Sequence, residues 1–239
     1  MSNNLNILKI IAITLISIVL YGFSNSTYKQ KEISSINIMI YPINQLFIDE
    51  PLINNLLTQK GDKAVNKLID GLDLHKLEQR VEENEIVANA SVFVTVDGTL
   101  SVNVYQRKPV ARLITDSAFM YIDQKGELMP TSDNFSARVP LAYGFSENEI
   151  QKCRLVFNYI YQDELYRKLI TEISLKSDLG IVLATRLNNF TIRLGKNKNL
   201  TKKLKNFKAF YQYLKRKNQL NRYETVDLRF GKQVIASKN

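Results

Sequence analysis

Ser26-Thr27-Tyr28-Lys29 and Ser132-Asp133-Asn134 carry the spelling of two of the three motifs of a penicillin-binding acyl transferase, in which the S-x-x-K serine attacks a carbonyl. No K-T-G follows them. The S-x-x-K also stands directly after a long apolar run, where no helical core can surround a nucleophile. The one histidine, His75, is read as a surface residue, since alone it makes neither a metal site nor a catalytic dyad. Gly195-Lys196 lacks the upstream glycine and the following Ser/Thr of a phosphate loop. The one cysteine, Cys153, excludes an internal disulfide. It shares a helical face with Ile150, Phe157 and Ile160 and reads as a small buried apolar group. Acidic pairs such as Glu82-Glu83 are ordinary exposed helix charge. The sequence therefore predicts no catalytic residue, metal, cofactor or small-molecule substrate, and its informative features are structural.

The net charge of +10 over 239 residues is concentrated. Residues 196–239 hold 13 Lys/Arg against Glu224 and Asp227, a net +11, which leaves the rest of the chain near −1. Leu200, Leu204, Phe207, Tyr211 and Leu214 form an apolar helical stripe with the lysines between them, so the run reads as the solvated face of one amphipathic helix. Contact with acidic partners or lipid head groups is the rival reading; nucleic acid is set aside if the chain is exported.

Two valine-rich runs flank Asp97-Gly98. Val92, Val94 and Val96 alternate with Phe93 and Thr95; Leu100, Val102 and Val104 alternate with Ser101, Asn103 and Tyr105. This period of two predicts a half-buried hairpin. A two-residue turn would put the valines on the face of Ser101 and Asn103. A three-residue loop over 97–99 instead pairs Val96 with Leu100, Val94 with Val102 and Val92 with Val104, and burial selects it. Upstream, Asp49-Glu50-Pro51 opens a helix carrying Leu52, Ile53, Leu56 and Leu57 and closed by Gly61-Asp62. A second helix starts near Asp73 with Leu74, Leu77 and Val81. Ile36, Ile38 and Ile40 form a short strand that stops at Tyr41-Pro42. Strand, helix, helix, strand, strand makes a two-layer domain, and Pro109 is read as its end.

Val87-x-x-Ala90-x-Val92, a turn, Thr99-Leu100-x-Val102-x-Val104 and Arg107-Lys108-Pro109-Val110-Ala111 resemble the end of a POTRA domain. More narrowly, with the tail Val226-Asp227-Leu228-Arg229-Phe230 standing for a "VDLRY" signature, the chain resembles the FtsQ/DivIB bacterial cell-division family. Ile86 stands where that family often has proline, Val-Asp-Gly where its turn often has Trp-Pro, and Gln106 where it usually has an acid. These departures are read as affecting local turns and surface charge. The resemblance implies an α+β chain: an N-terminal transmembrane helix, a POTRA domain (β-α-α-β-β), then a second α+β domain with a mixed or antiparallel sheet. The expected divisions are residues 1–6 as cytoplasmic tail, 7–27 as signal anchor, 33–112 as POTRA domain and 113–239 as FtsQ-type β domain.

The residues support that order. Residues 5–23 are apolar apart from Asn6, Lys9 and a few hydroxyls, close to the roughly 20 residues a span needs, and no charge lies between Lys9 and Lys29. The rival is a signal peptide cleaved after Ser24-Asn25-Ser26. In the second domain, residues 119–122 and 128–129 flank the turn Asp123-Gln124-Lys125-Gly126. Ser146-Glu147-Asn148-Glu149 is a capping box. Strands follow at 170–175, 181–185 and 190–194, with turns at 178–180 and 187–189, then the basic helix and a strand at 225–230.

The family resemblance implies a non-catalytic bitopic scaffold of the divisome in the cytoplasmic membrane at the septum. Its bulk would lie outside the cytoplasm, and it would bind FtsB, in complex with FtsL, through the end of the second domain. The residues placed there are Arg229, Phe230, Lys232, Gln233, Val234 and Ile235, expected to form or continue a last strand interrupted only by Gly231. With the chain ending at Asn239, no later strand is expected to cover its outer edge. The alternatives are an anchored or secreted enzyme without a recognisable motif and a POTRA-type assembly chaperone, which would call for tandem POTRA repeats and a β-barrel.

Overall fold

The computed structural model describes residues 2–29, 31–58, 67–116, 118–186, 190–230 and 233–238; in the first helix, side chains are described for residues 9–22. The expected helix stop at Gly61-Asp62 and the turn at 187–189 lie outside the described residues. The chain forms two compact units, Met1–Gln106 and Arg107–Asn239.

The first unit contains α1 (Ser2–Lys29), β1 (Ser35–Tyr41), α2 (Glu50–Thr58), α3 (Leu74–Glu82), β2 (Val87–Val94) and β3 (Thr99–Gln106). The three strands order as β1-β3-β2, with β1 parallel and β2 antiparallel to the central β3. After α1, this is the β-α-α-β-β order expected for the first domain. Both short helices begin where a side-chain oxygen satisfies an orphan amide: Leu52 N donates to Asp49 Oδ1 at 3.1 Å and Lys76 N to Asp73 Oδ1 at 3.0 Å. Ile53, Leu57, Leu77 and Val81 then cover Leu100, Val102 and Val104, all buried. Among the described residues no helix is long and apolar enough to cross a membrane.

The hairpin keeps the expected face but not the expected register. Val94 pairs with Leu100, Val92 with Val102 and Ala90 with Val104. Val96 lies in the turn and is 84% exposed. The three-residue loop sits one position earlier, at 96–98. There Gly98 takes the left-handed φ of +93° that a glycine tolerates without strain, and Thr95 N donates to Thr99 O at 3.0 Å. The side chains of Thr95 and Thr99 both donate to the Asp97 carboxylate, which fixes the loop locally and holds that carboxyl below its usual range. Alternation sets the face; this polar knot sets the register.

Gln106 corrects a second expectation. It is 3% exposed rather than a surface residue. Its Oε1 accepts from Phe47 N at 2.7 Å and Ile48 N at 3.2 Å, and its Nε2 donates to Gln45 O at 2.9 Å and Tyr41 O at 3.3 Å. A primary amide can accept from two N–H groups and donate to two carbonyls at once, which a carboxylate cannot. Gln106→Glu turns the two donations into carboxylate–carbonyl repulsion and is expected to cost about 1–3 kcal/mol, read as a lowered urea midpoint for the first unit. An unchanged midpoint would show that water replaces the lost donors.

The second unit runs β4 (Pro109–Ile114), β5 (Phe119–Asp123), β6 (Leu128–Pro130), β7 (Leu141–Tyr143), α4 (Glu147–Gln162), α5 (Glu164–Leu169), β8 (Ile170–Lys176), β9 (Gly180–Thr185), β10 (Thr191–Gly195), α6 (Leu200–Arg216), β11 (Tyr223–Asp227) and β12 (Ile235–Lys238). One nine-stranded mixed sheet has the order β12-β11-β10-β9-β8-β7-β4-β5-β6. Pro109 does not close the first domain. It opens β4, where a missing N–H is tolerated at the first residue of a strand, and β4 pairs with β5 and β7. The units accordingly part after Gln106 rather than at residue 112. Alternate strand residues, Ile181 and Leu183, Ile192 and Leu194, Val226 and Leu228, join one apolar cluster with Val156 and Phe157 of α4 and Leu204 and Phe207 of α6. The capping box at Ser146 is present, its N–H and hydroxyl both donating to Glu149 Oε2 at 2.8 Å.

Candidate partner-binding site

β11 enters the sheet beside β10, in parallel, because Val226 and Leu228 are buried and Leu228 N donates to Arg193 O at 2.9 Å. The strand then stops. Arg229 turns back on Asp227: its N–H donates to Oδ1 at 2.9 Å, its Nε to both carboxylate oxygens at 3.0–3.1 Å and its Nη2 to Oδ2 at 2.6 Å. Asp227 is 8% exposed. Burial alone would raise its carboxyl, but the bonds from Arg229, with the charges of Arg229 and Arg193, hold it below the usual range. The same bonds raise the Arg229 guanidinium.

The Arg229 stem crosses Gly195. A Cβ at Gly195 would meet Arg229 Cγ at 2.7 Å, and Gly195 holds a φ of +73°. The Asp227–Arg229 fork and the bare glycine beneath it thus form a latch that ends β11.

The expected single strand over 229–235 is therefore a hairpin instead. Gln233 N donates to Phe230 O at 3.1 Å, and the chain returns as β12, antiparallel to β11, with Asp227 opposite Ile235 and Val226 opposite Ala236. Of the six residues expected to bind, Arg229 is committed to the latch, while Phe230 is 51% and Ile235 39% exposed. Gln233 is exposed and Val234 packs partly on the core; Lys232 lies outside the described residues. Among the described residues β12 is paired on β11 alone and forms the outer edge of the sheet. Its outward N–H and C=O groups can accept a further strand.

Lys203 escaped the sequence reading. It falls among the lysines of the solvated stripe, yet it is 7% exposed, and its Nζ donates to Leu194 O at 2.8 Å and Lys196 O at 3.0 Å. Burial lowers its ammonium, against the opposing pull of Asp227. The ammonium thereby fastens α6 to the end of β10, under the latch. A buried lysine surrounded by others has no signature in hydrophobic spacing.

The residues with possible chemistry are dispersed. His75 is exposed on α3, 3.0 Å from Gln79 Nε2 and 3.7 Å from Glu78. Cys153 is buried in α4 and its thiol is pushed up by burial. Ser132 and Asn134 belong to a surface turn closed by Asn134 N donating to Ser132 Oγ at 3.1 Å, and the side chains of 26–29 lie outside the described residues. Among the described residues no three His, Cys, Asp or Glu side chains gather as metal ligands would.

The family model described as FtsQ/DivIB, C-terminal related matches residues 108–237, more than half of the chain, and ends inside β12. This chain belongs to the FtsQ/DivIB family. A POTRA-like domain model matches residues 33–105, the first sheet and its helices. Two relatives of this chain bear the name Cell division protein FtsQ. That of Koribacter versatilis (strain Ellin345) is 26% identical over 201 residues, 78% of this chain and 57% of that protein. That of Geotalea daltonii (strain DSM 22248 / JCM 15807 / FRC-32) is 23% identical over 181 residues, 70% of this chain and 64% of that protein. The chain thus spans about three fifths of the length of these curated relatives.

The Asp227–Arg229 latch gives a pH signature. A carboxyl depressed in the folded state stabilises the fold above its unfolded pKa, near 3.9. That stability is lost as pH falls through the lower folded value. Between pH 5 and pH 3 the wild-type chain should therefore lose more thermal stability than Asp227→Asn, which has no such carboxyl to protonate. Equal slopes in scanning calorimetry would show that the latch contributes nothing to stability.

Proposed function

We propose that this FtsQ/DivIB chain is a non-catalytic, single-pass membrane scaffold of the bacterial divisome. It would hold an FtsB-type partner, in complex with an FtsL-type protein, at the open edge of β12. One observation carries the reading: within the FtsQ/DivIB match, a latch ends β11 and delivers a short strand to the outermost position of a nine-stranded sheet. A partner segment laid on that edge gains main-chain hydrogen bonds over its length. Phe230, half exposed beside it, offers an aromatic contact of the kind that carries interface energy.

α1 is proposed as the anchor in the cytoplasmic membrane. It runs over 28 residues, and its described stretch exposes Ile10, Ile11, Ile13, Leu15, Ile16 and Ile18 all round the helix, each more than half accessible. Such a surface is stable in hydrocarbon and not in water. The N-terminus would face the cytoplasm and both sheet units the outside, since long folded domains translocate largely regardless of flanking charge.

Depletion in the native cell tests the role. A scaffold predicts filaments with failed septa while cell-wall enzyme activity in extracts is unchanged. Loss of an assayable wall-enzyme activity, restored by the purified chain alone, would replace the scaffold with an enzyme.

A further inference from the structure

A groove of about 730 Å³ opens in the second unit, at strands three and four places from β12: it is lined by residues 138–140, the end of α5, the start of β8 and the residue that follows β9. Four cations line it, Arg138, Arg167, Lys168 and Arg186, and no Asp or Glu does. Lys168 is engaged by Glu164 at 2.6 Å. Among the described residues the guanidiniums of Arg138, Arg167 and Arg186 have neither a hydrogen bond nor an ion pair; Arg167 senses Glu164 only at longer range.

Each arginine is held in place through its backbone. The irregular stretch of residues 138–140 is tied by Arg112 N donating to Pro140 O at 2.8 Å, by Ala137 N donating to Tyr121 Oη at 2.9 Å, and by Arg112 Nη2 donating to Ser136 Oγ at 2.7 Å. Arg186 N donates to Leu169 O at 2.8 Å, which brings the end of β9 against the end of α5. Arg167 N donates to Asp163 O at 2.9 Å, and Asp163 in turn holds Lys208 at 2.7 Å. Three separate segments are thus pinned so that their cations face one concavity. Like charges held together repel, and an anion relieves that repulsion. Arginine in particular grips oxyanions with two parallel N–H donors.

We propose that this groove binds a phosphate-bearing anion. Its volume lies within the roughly 300–1,000 Å³ of ligand sites. Pro140 and Ile170, both buried in its floor, and half-buried Val139 add apolar surface beside the charges, so a phosphate joined to a short organic group fits better than a bare ion. Such a group is offered by an anionic lipid head group or by a free phosphate ester; the shared chemistry is the phosphate.

The test is titration of the full chain, in an uncharged detergent at low salt, followed by calorimetry. The probes are inorganic phosphate, glycerol 1-phosphate and a short-chain phosphatidylglycerol. Saturable one-to-one binding is expected, weakened by about tenfold or more in Arg138→Gln/Arg167→Gln/Arg186→Gln. The exposed α6 triple Lys202→Gln/Lys205→Gln/Lys215→Gln removes the same charge elsewhere and should change affinity by about twofold at most. Saturation by either soluble phosphate assigns the site to a free anion; saturation by the lipid alone assigns it to a head group. If the groove triple melts early, Arg186→Gln alone decides, with a drop of roughly threefold or more expected. Absence of saturation with every probe, or equal loss in the α6 triple, overturns the site.

Discussion

Val102→Asp is expected to unfold the POTRA-like unit. Val102 is fully buried in the central strand, paired with Ile38 on one side and Val92 on the other. The groups packed there, Leu77, Val81, Leu100 and Val104, are apolar. An unpaired buried charge costs several kcal/mol, comparable with the whole stability of a small domain. The second unit has its own apolar cluster, so its amide signals should persist while those of residues 33–105 collapse. Val96→Asp supplies the contrast. In the register expected from alternation alone it would be nearly as harmful, but Val96 stands exposed in the turn, and the variant should fall within about 0.5 kcal/mol of wild type. A folded Val102→Asp would refute the buried face, and an unfolded Val96→Asp the observed register.

The second large effect is on partner binding. Adjacent residues of a strand point their N–H groups to opposite sides. Of Ala236→Pro and Ser237→Pro, one therefore removes an outward donor from β12 and the other breaks the ladder to β11. The outward variant should leave both units folded. It should still cost about 3 kcal/mol of partner affinity, roughly a hundredfold, because the ring also obstructs the incoming strand. Phe230→Ala should cost about 2 kcal/mol as a lost aromatic anchor and leave the core intact, since Phe230 is not part of it. Val234 is a poor place for the proline, being half buried against the apolar cluster and outside β12. Wild-type co-purification of the FtsB-type partner by both proline variants and by Phe230→Ala would remove this edge from consideration.

How much of this was legible in the sequence depended on whether the signal was local. Asp49-Glu50-Pro51, Asp73 and Ser146-x-x-Glu149 announce helix starts through side chains that bond their own backbone, and all three start helices. The valine alternation placed the right face inward, but parity is blind to a slide of two residues. The register rests on Gly98 and on Thr95 and Thr99 grasping Asp97. β4 went unseen because it is largely buried on both faces, which leaves no alternation to detect, and β7 because it has only three residues. At the C-terminus, Val226-Asp227-Leu228-Arg229-Phe230 alternates as a strand should, and a strand through 230 and beyond was expected. The turn comes from Arg229 bonding a side chain two residues back and lying over a glycine distant in sequence, information that no local pattern contains. Gln106 and Lys203 are the same lesson for polar residues: each is buried because carbonyls from remote segments need a donor.

Amide hydrogen exchange of residues 235–238, in the chain alone and with the proposed FtsB-type partner bound, tests the open edge most directly. Outward-facing amides of β12 are free to exchange in the chain alone, and pairing with a partner strand should slow alternate ones by roughly an order of magnitude or more. Exchange in β12 that is unchanged by a bound partner, with slowing at another surface, would contradict strand addition at this edge.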